Sequence, residues 1–258
     1  MISENISKEQ MKSKVDFENL KSDYFLQKTF DILKRNKSLN IIKYNKKLQN
    51  RLNLGIKDYK EYSQFYTLIE IELKLVDNKY DKFINISDKE KKYFHIYFNN
   101  ANEEIQRNYL NQNEKVDTIK LIIDYQIKSF KELFERCDCL RAIHFKKFYR
   151  INISDMSRMF FECSSLQEIN LSSFNTINVT NMSFMFAKCS SLIELNLSNF
   201  NTSKVNNMYG MFAGCLMLKE LNLSNFVVNK YTDMGNFIWG CSFDLRKKVK
   251  SQNKKIKC

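Results

Sequence analysis

The sequence predicts an α/β solenoid, a stack of repeated helix-and-strand units, preceded by a helical segment and a small β-sheet. Three observations lead there. Cysteine recurs at Cys137, Cys163, Cys189, Cys215 and Cys241, each 26 residues after the last. A fixed period of this size marks stacked structural units. The flanking residues keep the same phase, best in the copies that start at Asp155, Asn181 and Asn207. Within a copy the apolar spacing changes from helical to alternating, so each unit holds two kinds of element.

In chain order, residues 1–19 are polar and contain no apolar stretch of signal-peptide type. Residues 20–60 read as helices. Phe25, Phe30, Leu33, Leu39, Ile42 and Leu48 fall at near-helical intervals, with Ser22 and Asp23 as caps. Residues 61–118 form a β-rich capping segment. Ile69, Ile71, Leu73 and Leu75 face one way, and Glu70, Glu72 and Lys74 face the other. KFINI and YFHIYF continue the alternation, which predicts a small antiparallel sheet. TIKLIIDYQI then reads as a strand covering the open end of the stack, an end that would otherwise expose its core.

The repeat unit is assigned to residues 119–243. Met182, Met185, Phe186, Cys189 and Leu192 follow i, i+3, i+4, i+7, i+10, one face of a short helix, with Thr180 and Asn181 as caps. Leu195 and Leu197 alternate with Asn196 and Ser198 as a short strand, and Phe200 precedes an Asn201-Thr202 turn. Successive strands are expected side by side, about 4.8 Å apart, in a parallel sheet. One unit buries too little apolar surface to offset the ordering of its backbone, so stacking is required. After Cys241 no L-x-L strand follows. Residues 244–258 form a basic tail, either a solvated helix that hides the last repeat or a nuclear or membrane-surface signal.

Composition bounds the function. The net charge is +13, with the excess mostly in the N-terminal third and the last fourteen residues. Lysine-rich coding with a solvated surface is preferred over a nucleic-acid or anionic-membrane contact; RNA binding would want aromatics interleaved with Arg, and Lys far outnumbers Arg. Five cysteines at one phase have no natural pairing scheme and read as buried thiols in a reducing compartment. Cys137-x-Cys139 lacks the C-x-x-C spacing of a zinc site, and no metal is expected. Asn or Asp at 155, 181, 207 and 233 reads as a ladder satisfying turn backbone groups. The two histidines are His95 and His144, and His144 alternates with Ile143 and Phe145, so it should point away from the core. No Ser-His-Asp set, phosphate loop or H-E-x-x-H motif occurs, so no enzyme, cofactor or small-molecule substrate is expected.

The pattern N-M-S-x-M-F-x-x-C-S-S-L-x-x-L-N-L-S-x-F-N-T resembles the BspA-type leucine-rich repeat, also seen in Mycoplasma-type surface lipoprotein repeats. The resemblance implies a leucine-rich-repeat solenoid used in protein or cell-surface recognition. Segment 20–60 resembles an F-box, which would imply docking on a Skp-type adaptor; a plain helical cap needs no partner and is preferred. The expected function is non-enzymatic protein–protein interaction. Recognition is assigned to His144, Asn170, Asn196 and Asn222 between the strand leucines, with Gln167, Glu168, Glu194, Lys219 and Glu220 nearby. The alternatives are an F-box-like substrate receptor of a ubiquitin ligase and a BspA-like surface adhesin. The chain is expected to be cytoplasmic, with no apolar run long enough to span a bilayer; cell-surface display is what the resemblance implies.

Overall fold

Alternation of apolar and polar residues is most regular in IEIELKL, FHIYF and TIKLII, and these three runs make the first sheet of the computed structural model. The structure describes residues 22, 45–52, 68–112, 114–124, 127–148, 152–253 and 256. The chain divides into two units, Met1–Tyr66 and Thr67–Cys258. In the first unit, helix α1 (Lys46–Arg51) is capped by Asn45, whose side-chain oxygen accepts from the Leu48 N–H at 3.0 Å, and Leu48 is buried. Apart from Ser22 and this helix, the F-box-like segment lies outside the described residues.

The second unit is mixed α/β, mainly sheet with few helices. Strands β1 (Ile69–Leu75), β2 (Phe94–Phe98), β3 (Thr118–Ile123), β4 (Leu140–Phe148) and β5 (Glu168–Asn170) form an open sheet in the order β2-β3-β1-β4-β5. Ile69, Ile71, Leu73 and Leu75 all face its core, as their alternation requires. TIKLII lies between β2 and β1, and it is β1 that meets the first repeat copy, antiparallel to β4. KFINI makes only a single bridge, Lys82 to Tyr109, while Phe83 and Ile84 fill the core.

The helix expected in each copy is absent from residues 152–242; a run of turns replaces it. The reason lies in the hydrogen bonds. Met182, Phe184, Phe186 and Lys188 donate their N–H groups to the carbonyls of Asn207, Tyr209, Met211 and Ala213 in the next copy. The intervening Met185, Ala187 and Cys189 donate to the carbonyl three residues back. An α-helix would spend all these donors within one copy. This alternation is accompanied by a left-handed residue at every fourth position: φ is +54° at Phe184 and +60° at Lys188. A four-residue turn carries the same positions inward as a 3.6-residue helical turn, which is why the spacing looked helical.

The buried interior is a set of ladders. The Phe134, Phe160, Phe186 and Phe212 rings stack at 5.7, 5.3 and 5.6 Å between centroids, within 17° of parallel. Phe148, Phe174 and Phe200 form a second stack, at 4.3 and 5.8 Å. The thiols of Cys163, Cys189, Cys215 and Cys241 donate to the carbonyls of Phe134, Phe160, Phe186 and Phe212 in the preceding copy, at 2.9–3.1 Å. The six described cysteines are buried free thiols. Burial pushes the Cys139 thiol up to about 12 and raises those of Cys163, Cys189 and Cys215 as well.

The parallel sheet expected across all copies is split in two. β4 pairs with β5, and β6 (Glu194–Asn196) pairs with β7 (Glu220–Asn222). At the junction, side chains carry the bonding: the Asn199 amide donates to the Leu171 and Phe174 carbonyls at 3.0 and 3.2 Å. The far end is covered by helix α2 (Phe243–Gln252), with Leu245 and Val249 buried. Gln252 accepts from the Leu223 N–H at 2.9 Å and donates to the Leu221 carbonyl at 2.8 Å, replacing the backbone of a missing strand.

Candidate functional site

The residues singled out from sequence lie on the outward side of β4–β7. A short strand whose central Leu is buried must turn its neighbours outward. Leu195 and Leu221 are buried, so Glu194, Asn196, Glu220 and Asn222 are exposed. Glu168 and Asn170 hold the same phase around the half-buried Ile169. Gln167 and Lys219 are exposed beside them. The nine residues fall on two parallel pairs, not on one continuous sheet.

The row has a defined chemistry. The Asn170, Asn196 and Asn222 side-chain oxygens accept from the N–H groups of Ser172, Ser198 and Ser224, at 3.0–3.1 Å. These bonds stay within each copy, closing its own turn, so the amide stripe does not link the copies. Asp155, Asn181, Asn207 and Asp233 behave alike, each accepting from the N–H two residues on, at 2.8–3.0 Å. Here the ladder between copies is made by backbone bridges instead.

The carboxylates differ among themselves. Glu168 accepts from His144 Nε2 at 2.8 Å, and Glu220 is paired with Lys248 of α2. Glu194, between them in the repeat, has no ion-pair partner among the described residues. His144 is on the face away from the core, but its side chain is only 13% exposed, held between Glu168 and Glu72, whose Oε1 is 3.5 Å from Nδ1. It is a bridge between β1, β4 and β5 rather than an open contact. Among the described residues, no group of His, Cys, Asp or Glu is arranged to hold a metal ion.

A second polar row, unmarked by the sequence reading, follows the turns. Arg136 pairs with Glu162 at 2.6 Å, and Glu162 with Lys188 at 2.5 Å, one copy apart each time. Glu135 binds Arg158 through two nitrogens, at 2.6 and 3.1 Å, and Arg158 lies 3.9 Å over the Phe161 ring. The Lys188 hydrogen bond, reinforced by Arg136, holds the Glu162 carboxyl below the usual range. Also unmarked are exposed apolar side chains in the last two copies, among them Leu216, Met217, Trp239 and Phe243. The signal for both was present as a departure from the repeat at a fixed phase: Leu216 and Met217 stand where the two preceding copies have Ser164-Ser165 and Ser190-Ser191.

Residues 128–250 match the family described as "Mycoplasma protein of unknown function, DUF285". This finding corrects the resemblance to the BspA-type leucine-rich repeat: the tandem copies are similar to a different family. The half of the unit whose spacing reads as helical is the run of turns. No curated protein and no solved structure matches the chain. Among the described residues no helix is long and apolar enough to cross a membrane.

Proposed function

We propose that the stacked copies form a short solenoid whose outward strand face binds another protein, without catalysis. The observation that carries this reading is the row Glu168, Glu194 and Glu220, one carboxylate per copy at one phase, in a chain of net charge +13. Beside it runs the exposed Asn row, whose oxygens are engaged within the turns. A face of carboxylate acceptors and amide donors fits a polypeptide segment rich in Lys or Arg. Repeat stacks supply extended surfaces of this kind. The buried free thiols suit a reducing compartment.

Affinity capture with the full chain tests the reading. Glu194→Lys alone, and Glu194→Lys with Glu220→Lys, reverse charge at exposed positions and should leave the circular dichroism unchanged. Partners that cross-link to the wild-type face should be lost from both variants. An unchanged set of partners with both variants would refute the strand face as the binding surface.

A further inference from the structure

Helix α2 does more than close the stack. Its inward stripe is Leu245, Val249 and Gln252. Opposite that stripe, at i, i+3, i+4 and i+7, lie Phe243, Arg246, Lys247 and Lys250, all exposed. Phe243 is 72% exposed and Trp239, just before the helix, is 69% exposed. Trp239 belongs to the turn that stacks on the previous copy, since the Gly214 N–H donates to its carbonyl at 2.7 Å. Leu216 and Met217 follow Gly214 by two and three residues, and Met217 shares the phase of Phe243 one copy on. Two aromatic and two aliphatic side chains are therefore brought to the same corner, against a cationic helix face.

The helix is cationic. Its ten residues hold Arg246, Lys247, Lys248 and Lys250 against one acid, Asp244. Asp244 lies in the first turn of α2, and Glu220 pairs with Lys248.

We infer that this corner of the stack docks on an anionic lipid surface, with Trp239 and Phe243 set at the headgroup level and the α2 basic residues on the phosphates and carboxylates. Aromatic side chains with an apolar body favour the membrane interface, and Lys or Arg beside them are drawn to anionic headgroups. The aliphatic pair decides between lipid and nucleic acid. Leu216 and Met217 gain from an acyl boundary, whereas base stacking would call for further aromatic or Arg planes. The contact is peripheral and goes beyond the protein-binding role of the strand face.

Trp239 is the only tryptophan of the chain, so its emission reports the contact directly. The full chain is titrated with vesicles of phosphatidylcholine alone and of phosphatidylcholine with phosphatidylserine, with sedimentation in parallel. Binding and a blue shift are expected with the anionic vesicles only, weakening as salt is raised. Lys247→Gln and Lys250→Gln should each lower partitioning roughly fivefold. Phe243→Ser and Leu216→Ser, exposed and without structural cost, should reduce the blue shift while circular dichroism stays unchanged. Absence of binding to anionic vesicles overturns the inference, as does equal binding to neutral ones. A Trp239 response to single-stranded RNA or to polyglutamate, with none to vesicles, overturns it in favour of that other partner.

Discussion

Replacing Phe186 with Leu tests whether the aromatic ladder acts as a chain of nearest-neighbour contacts. Phe186 is fully buried and stacks on Phe160 at 5.3 Å and on Phe212 at 5.6 Å. Phe134, equally buried, has one stacked neighbour of this ladder, Phe160 at 5.7 Å. An aromatic pair contributes about 0.5–1.5 kcal/mol beyond the area it buries. The loss of ring area is common to both substitutions, so Phe186→Leu should cost one pair more than Phe134→Leu, about 0.5–1.5 kcal/mol. With a urea slope of about 1–3 kcal/mol/M, the midpoints should differ by several tenths of a molar. Trp239 emission and far-ultraviolet circular dichroism, followed together, check that unfolding is one transition. A double-mutant cycle sharpens the test. Phe160→Leu with Phe186→Leu should couple by about 0.5–1.5 kcal/mol, while Phe134→Leu with Phe212→Leu should add within about 0.5 kcal/mol. Equal costs for Phe134 and Phe186, or coupling as large between the distant pair, would refute the ladder account.

Four further outcomes are expected. Gly240→Ala places a methyl group no nearer than 3.6 Å to another atom at φ +75°, and should cost about 1 kcal/mol for the left-handed backbone. Gly210→Ala would set its methyl 2.6 Å from the Phe184 ring and should cost about 1–3 kcal/mol more, read as a lower thermal midpoint. The buried thiols are raised by desolvation from an unfolded value near 9.0, so the stability they contribute is complete below pH 9 and falls as the pH climbs toward their folded values. Each should contribute about 1.4 kcal/mol of loss per pH unit in that window, and Cys189→Ala should flatten the pH dependence of urea midpoints by that slope. Native protein should react with thiol reagents at Cys163, Cys189 and Cys215 only on unfolding, as peptide mapping of the adducts would show. Gln252→Ala would leave the Leu223 N–H and Leu221 carbonyl without their partner and should cost about 1–3 kcal/mol, with faster amide exchange at Leu223.

The 26-residue phase was legible because the same eight apolar positions recur, and all of them lead inward. Buried Met182, Met185, Phe186, Cys189, Leu192, Leu195, Leu197 and Phe200 were identifiable from spacing alone. The backbone that carries them was not. Spacing i, i+3, i+4 is shared by a helix and by four-residue turns, and the choice between them rests on hydrogen bonds to another copy, which no single-copy pattern displays. The sheet at β1–β3 was legible from strict alternation, yet its strand order was not, because alternation fixes the buried side and leaves the neighbour open. In the candidate site, the outward direction of Glu194 and Glu220 followed from the buried leucines between them. That His144 is half-buried did not follow, since it depends on Glu72 of β1, adjacent in the sheet but far away in sequence.

A stack of equivalent copies has one physical problem that its repeat cannot solve, which is its two ends. Each of the first four copies donates four turn N–H groups to carbonyls of the next, and the fifth has no following copy to receive its own. At the first copy, β4 keeps its parallel pair with β5 on one edge and pairs antiparallel with β1 on the other, so the copies run on into the preceding sheet. At the other end, Gln252 and Asn253 reach back to Leu221, Leu223 and Phe226 of the fourth copy, supplying amide groups where the strand of the fifth copy would have supplied backbone. The closing elements are free of the constraint that holds the interior to one residue type per phase. Leu216, Met217, Trp239 and the basic face of α2 could diverge there without breaking a ladder. Departures from the period are therefore where this chain has room for a specific contact, and the uniform strand face is where it has room for an extended one.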